Sequence, residues 1–441
     1  MKRLLSLLLC AVLALFCATT AQAAGVSITL TASEYALHYA FDAGAQDPFV
    51  ILEYATPAEK GWMMLYSADG HFEGDVSLAY SGAGGKTSVA LTSARTTGSI
   101  GKASTTLPKA ADYQKPTGKS NAKVMDFVLT ETPEGFHYAF NAIGTDYMLL
   151  YWRSKEQTVT QPVYPDENGH YEGDVVSELT FARTQFTVQV KSGSGSMKKE
   201  ATVRKGYQAP EAPQRQEGRL SGVTVCIDAG HQENGRFVNE PIGPGLSGST
   251  SGKGGMAQGT KTNRRESIVC LEIGMLLRDE LLRQGANVVM TREDQTTFHT
   301  NIERCEIAEA GGAQIMLRLH CNNSSNHSKR GIQVYGPLNS DYAKAVADAD
   351  TYREMGQKLL DAMKTRVGMT LANSTGMVRL NDNYVGNNWA KMMCFLVEMG
   401  YLSNPAEEYL LVTPVYQQWL AEGMADGVYE IAVARGWVQA Q

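Results

Sequence analysis

The chain has 441 residues, more than a single hydrophobic core usually spans, so two or three domains are expected. With 43% hydrophobic, 20% charged and 8% aromatic residues it has the make-up of a packed globular protein, which excludes a disordered chain. A formal net charge of -6 supplies no basic field, so nucleic acid is excluded as a partner.

Met1-Lys2-Arg3, the apolar run Leu4 to Ala18 and the small-x-small exit Ala21-Gln22-Ala23 predict a signal peptide over residues 1–23, cleaved after about Ala23. The chain is then secreted or held in the cell envelope. An uncleaved anchor helix is the alternative, but the run is shorter than the roughly 20 residues a span needs, and no later stretch is apolar enough, so no membrane span is expected in the mature chain. Bulky Phe16 beside Cys17 argues against a lipidated cysteine.

A repeat follows. Slid by 99 residues, His38-Tyr39-Ala40-Phe41-Asp42 falls on His137-Tyr138-Ala139-Phe140-Asn141, and Gly70-His71-Phe72-Glu73-Gly74-Asp75-Val76 falls on Gly169-His170-Tyr171-Glu172-Gly173-Asp174-Val175. Alternating runs such as Ser27-Ile28-Thr29-Leu30 and Phe186-Thr187-Val188-Gln189-Val190, broken by Gly, Asp and Asn, predict antiparallel strands. Two all-β domains are expected, residues 24–110 and 121–205, of a size that suits an immunoglobulin-like sandwich, with a barrel left open. The histidines and aromatics common to both copies fit either a core or a surface that binds the cell wall. Residues 206–219, with Pro210, Pro213 and mixed charges, read as an exposed linker.

From residue 220 to 441, buried-looking strands alternate with longer helical segments. Strands are predicted at Val223 to Asp228, Ala286 to Thr291, Gln314 to Leu319, Gly331 to Tyr335 and Cys394 to Glu398. Helices are predicted at Arg265 to Gln284, Ile302 to Ala310, Ser340 to Val367 and Val415 to Arg435. This order implies an α/β domain with a mainly parallel sheet. The five cysteines of this half, Cys226, Cys270, Cys305, Cys321 and Cys394, show no paired spacing and read as buried free thiols.

Ligands of such sheets gather at the carboxyl ends of strands. Those ends give Asp228-Ala229-Gly230-His231, His320-Cys321-Asn322 and Glu398; Glu266 joins them at the start of a helix, whose dipole favours its charge. Two histidines and a glutamate suit a catalytic zinc site with one position open to water, and a further carboxylate can carry the proton. The spacings alone leave ordinary readings open: a loop histidine, a satisfied strand-end histidine, a capping carboxylate and half of an ion pair.

At these residues the chain resembles the zinc-dependent N-acetylmuramoyl-L-alanine amidases of bacterial cell walls. The likeness runs from about Leu220 to Trp437 through Val225-Cys226-Ile227-Asp228-Ala229-Gly230-His231, Glu266, Val289-Met290-Thr291-Arg292, Leu319-His320-Cys321-Asn322 and Leu396-Val397-Glu398-Met399-Gly400-Tyr401-Leu402-Ser403-Asn404. It implies one Zn2+ ion on His231, Glu266 and His320, with Glu398 catalytic. It implies peptidoglycan as substrate and the bond between N-acetylmuramic acid and L-alanine as the one cut. Ala229, Gln232 and Arg318 depart from residues common in the family, and none is an implied ligand. Gly-rich residues 232–263 resemble an insert of one subgroup, and fit either a cleft wall or a surface loop. Arg292, Arg318 and Asn322 fit substrate contacts or core bonds equally. Two other readings stand beside the amidase: a wall-binding protein with an inactive amidase-like domain, which the presence of all four chemical residues opposes, and a zinc peptidase acting on stem peptides.

Overall fold

Period-two alternation of apolar side chains governs the first half of the chain, where each strand turns one row of residues inward. The structure is a computed structural model and describes residues 18–22, 26–96, 98–113, 122–132, 135–154, 157–176, 185–192, 197–204, 209–232, 238–250, 255–262, 264–367 and 377–440. The chain divides into two units, residues 1–205 and 206–441. Most of the predicted signal peptide lies outside the described residues; its Ala18–Gln22 forms β1, antiparallel to the next strand.

The first copy of the repeat contains β2 (Ser27–Ala32), β3 (Ala36–Asp42), β4 (Phe49–Ala55), β5 (Glu59–Tyr66), β6 (His71–Ser77), β7 (Gly85–Ser93) and β8 (Ser99–Leu107). The second contains β9 (Lys123–Thr132), β10 (Gly135–Ile143), β11 (Met148–Arg153), β12 (Gln157–Val163), β13 (His170–Val176), β14 (Gln185–Lys191) and β15 (Met197–Arg204). In each copy three strands form one sheet, β2-β3-β6 or β9-β10-β13, with β1 added outside β2. The remaining four of each copy pair edge to edge: Glu59, Lys60 and Gly61 of β5 face Val159, Thr158 and Gln157 of β12. One eight-stranded sheet, β15-β14-β11-β12-β5-β4-β7-β8, therefore runs through both copies.

Leu37, Tyr39, Phe41, Phe72 and Leu52 fill the first core; Phe136, Tyr138, Phe140, Tyr171 and Trp152 fill the second. Phe41 stacks on Phe72 with centroids 4.9 Å apart, and Phe140 on Tyr171 at 4.6 Å. The aromatics common to the copies are thus core residues, while the histidines stand on the opposite, outward face of the same strands. A Cβ on Gly74 would lie 2.8 Å from the Tyr39 hydroxyl, and one on Gly173 2.7 Å from that of Tyr138, so both copies need a residue without a side chain there.

The second unit begins with exposed residues 209–218, tied down where Gln216 N donates to Leu282 O (3.0 Å) and Arg215 Nη1 to Gly285 O (2.8 Å). Its elements are β16 (Thr224–Ala229), α1 (Glu266–Arg283), β17 (Asn287–Met290), α2 (Asn301–Ala310), β18 (Ile315–Asn322), β19 (Gln333–Gly336), α3 (Asp341–Val346), α4 (Ala349–Val367), β20 (Met377–Leu380), α5 (Val385–Trp389), β21 (Met393–Tyr401), α6 (Pro405–Leu411) and α7 (Pro414–Ala434). The sheet order is β17-β16-β18-β21-β19-β20. β17, β16, β18 and β21 are parallel; the three inner strands β16, β18 and β21 are buried almost throughout, as strands covered on both faces must be, while the edge strand β17 is half-exposed.

The sheet is mixed. β19 runs antiparallel to β21 and carries β20 parallel to itself. The link from β18 to β19, residues 323–332, contains no helix, and a parallel return needs a longer crossover. The predicted helix Ser340 to Val367 is two: Ala347 is extended at φ -165° and ψ 162°, and Asp348 Oδ1 accepts from Thr351 N (2.7 Å) to start α4. Cys226, Cys270, Cys305, Cys321 and Cys394 are buried free thiols.

Candidate metal centre

The parallel register of β16, β18 and β21 brings their carboxyl ends to one edge of the sheet. His320 of β18 pairs with Glu398 of β21, so both side chains leave the same face. Beyond β16, Gly230 N donates to Leu319 O (2.9 Å), and His231 follows at φ +57°, a left-handed conformation uncommon outside glycine. Glu266, first residue of α1, lies between the two imidazoles, with Oε1 3.1 Å from His231 Nε2 and 2.9 Å from His320 Nδ1. The donor atoms of His231, Glu266 and His320 lie within 4.8 Å of one another.

The Glu266 carboxylate is 3% exposed and fully engaged: Oε1 also accepts from Cys321 N (3.0 Å) and Oε2 from Ala257 N (2.7 Å). Burial alone would raise its pKa, but the bonds to His231 and His320 outweigh it and hold the group well below the usual carboxylate range. Burial lowers that of His320, favouring the neutral imidazole. Two imidazoles and an ionised carboxylate with converging donors fit a borderline divalent cation such as zinc, with room for a further ligand.

Ala257 belongs to the Gly-rich insert, whose backbone bonds Glu266 again through Glu266 N to Ala257 O (2.9 Å). Another stretch of the insert holds the buried Glu240 carboxylate, which accepts from Ile302 N (2.8 Å) and Asn301 Nδ2 (2.7 Å) at the start of α2. The described parts of the insert are therefore built into the domain, and one of them touches a site residue.

The turn carrying His231 is held by two arginines. Arg292 donates to the carbonyls of Ala229 (2.7 Å), Gly230 (2.8 Å) and Ser267 (2.7 Å). Arg304 donates to Ala229 O (2.9 Å) and His231 O (3.1 Å) and pairs with Asp228. Asp228 is wholly buried and also accepts from Arg318 Nε (2.9 Å) and Thr291 Oγ1 (2.8 Å). Burial opposes its charge; Arg304 and Arg318 overcome that and keep it ionised. These bonds hold the strained turn in place. Arg292 and Arg318 thus serve the core, and Asn322 Nδ2 donates to Gln333 Oε1 (3.1 Å). Arg304 carries no sequence signal, because most of its partners are turn carbonyls.

Gly230 has no room for a side chain: an added Cβ would lie 2.7 Å from His320 Nε2 and 2.6 Å from its Cε1. Gly230→Ala is expected to push His320 out of place and to lower affinity for Zn2+ by about ten- to a hundredfold, read by competition with a fluorescent chelator.

Glu398 is set apart from the other three. Its Oε2 is buried without a hydrogen-bond partner among the described residues. Its pKa is pushed up to about 8, first by burial and then by the Glu266 charge. Burial raises the Tyr335 and Tyr401 phenols, and the Glu398 charge raises them further, so these groups share its surroundings. Sequence reasoning missed both tyrosines. A buried, unpartnered carboxyl beside a cation site is a base held ready for a proton.

Residues 225–430 match the family model described as N-acetylmuramoyl-L-alanine amidase. Among curated relatives, the germination-specific N-acetylmuramoyl-L-alanine amidase of Bacillus subtilis is 26% identical over 231 residues, 49% of this chain and 83% of that protein. The probable cell wall amidase LytH of Staphylococcus aureus is 27% identical over 218 residues, 48% of this chain and 60% of that protein. Among solved structures, the Ami1 amidase of Mycobacterium smegmatis is 17% identical with TM-score 0.43, covering 49% of this chain and 100% of that one. The matched segment holds β16 to β21 and all four site residues, and residues 225–430 of this chain belong to the N-acetylmuramoyl-L-alanine amidase family.

Proposed function

We propose that the second unit hydrolyses the amide bond between N-acetylmuramic acid and the L-alanine of the stem peptide in peptidoglycan, as a zinc enzyme. The observation that carries this reading is the convergence of His231, Glu266 and His320 beside an unpartnered Glu398. His231, Glu266 and His320 would hold the ion. Bound there, zinc would supply Lewis acidity to the scissile carbonyl and the attacking water. Glu398 takes the proton from water and returns it to the departing nitrogen of L-alanine. Cys321 N and Ala257 N keep Glu266 aimed, and Arg292 and Arg304 keep His231 aimed.

Three further parts of this reading are proposals of the same kind. The chain is exported by a signal peptide over residues 1–23 to work in the cell envelope. Residues 24–110 and 121–205 are immunoglobulin-like sandwiches that engage the wall. Residues 206–219 link them to the catalytic domain, residues 220–441. Among the described residues no helix is long and apolar enough to cross a membrane.

The test is mass spectrometry of soluble products from purified peptidoglycan treated with the full chain, with a chelated sample beside it. Stem peptides beginning with free L-alanine, absent after chelation, support the proposal. Products cut within the peptide would replace it with a peptidase, and wall binding without release would leave a binding module.

A further inference from the structure

Across β18, β21 and β19, three polar side chains stand in one row. His320 of β18 pairs with Glu398 of β21, and Glu398 pairs in turn with Gln333 of β19. Residues directly opposite on neighbouring strands share a face, and such strands lie about 4.8 Å apart. Gln333 therefore stands beside Glu398, on the side away from His320. It is half-buried, and hydrolysis as derived above gives it no task.

The orientation of its amide follows from its neighbours. Asn323 N donates to Asn322 Oδ1 (2.8 Å), so Nδ2 is the end of Asn322 that meets Gln333, at 3.1 Å. An NH2 group needs an acceptor, so it faces Gln333 Oε1. Tyr335 OH donates to the same oxygen (2.7 Å), and Tyr384 packs on the Tyr335 ring with centroids 5.1 Å apart.

Both bonds end on Oε1, which leaves Nε2 with its two hydrogens. Burial and the Glu398 charge raise the Tyr401 phenol, and a bond from Gln333 opposes them, so one hydrogen goes to Tyr401. The second has no partner in the described hydrogen bonds. An amide pinned on three sides is a donor held in one direction.

We propose that Gln333 holds the stem peptide beside the scissile bond, with Nε2 donating to the carbonyl of its L-alanine. This rests on the amidase reading and extends it to the leaving half of the substrate. Glu398 returns its proton to the nitrogen of L-alanine, which puts that nitrogen over β21. The side chains of His231, Glu266 and His320 lie on the β18 side, where the muramoyl half belongs, so the peptide runs the other way, over β19. One residue extends a chain by about 3.5 Å, and the first acceptor to arrive there is the L-alanine carbonyl.

The experiment is calorimetric titration of a soluble muramoyl tripeptide into the full chain, zinc-loaded and carrying Glu398→Gln to prevent turnover. Adding Gln333→Met is expected to weaken binding about tenfold. A compound with a trans-alkene in place of the peptide bond after L-alanine should bind both proteins equally, because it lacks the carbonyl. Gln333→Glu keeps an acceptor for Asn322 and Tyr335 and replaces only the donor, so it should weaken binding of the tripeptide as well. It gives the readout should the Met variant fail to fold. Tripeptide binding undiminished in the folded variants, or the alkene compound weakened as much as the tripeptide, overturns the proposal. Product analysis with Glu398 intact decides the amidase reading separately: no release of stem peptide there overturns both.

Discussion

Glu398→Gln is expected to lower the release of stem peptides by about a hundred- to ten-thousand-fold while leaving zinc content unchanged. The amide keeps the size of the side chain and removes only the atom that accepts the proton. Because Glu398 bonds none of the three ligand side chains in the described hydrogen bonds, the ion should stay. Metal analysis beside the rate measurement separates the roles: zinc lost together with rate would make Glu398 a ligand. The rate should also have an acid limb. The active form is the carboxylate, so the rate falls as pH drops through the Glu398 pKa. Burial and the Glu266 charge push that pKa up to about 8, and a cation on Glu266 works against the second cause. The limb is therefore expected below pH 8, and a limb above it would assign the titration to another group.

Asp228→Ala should cost stability rather than chemistry alone. The substitution leaves Arg304 and Arg318 buried without their anion, and breaking such a pair costs about 3–5 kcal/mol. In a unit of this size that corresponds to a fall of roughly 6 to 20 °C in the unfolding midpoint. Scanning calorimetry of the full chain is expected to show the transition of residues 206–441 falling, with that of residues 1–205 unmoved. An unchanged second transition would mean that the arginines find other partners.

The parts of the molecule legible in the sequence are those set by local periodicity. β16, β18 and β21 are apolar runs, so their carboxyl ends near His231, His320 and Glu398 could be read directly, while Glu266 was picked from the start of a helix. The direction of β19 could not, because it depends on which strand it joins rather than on its own residues. β20 is too short to show a period. α6 did leave a signal that was passed over: Asn404 accepts from Ala406 N and Glu407 N, and Pro405 opens the helix. The Arg292 and Arg304 clamp was hidden for another reason, since a turn carbonyl has no letter in the sequence. At the other end of the chain, the offset of 99 revealed two copies but not that their sheets join.

That joint has a practical outcome for anyone dividing the chain. Separating the copies between residues 113 and 122 would part β5 from β12, leaving each paired on one side only, with bare amide and carbonyl groups on the other. Bare strand edges recruit other strands. A single copy should therefore self-associate with rising concentration in sedimentation or light scattering, while the tandem stays monodisperse. In this protein the smallest well-behaved piece of the first half is the pair.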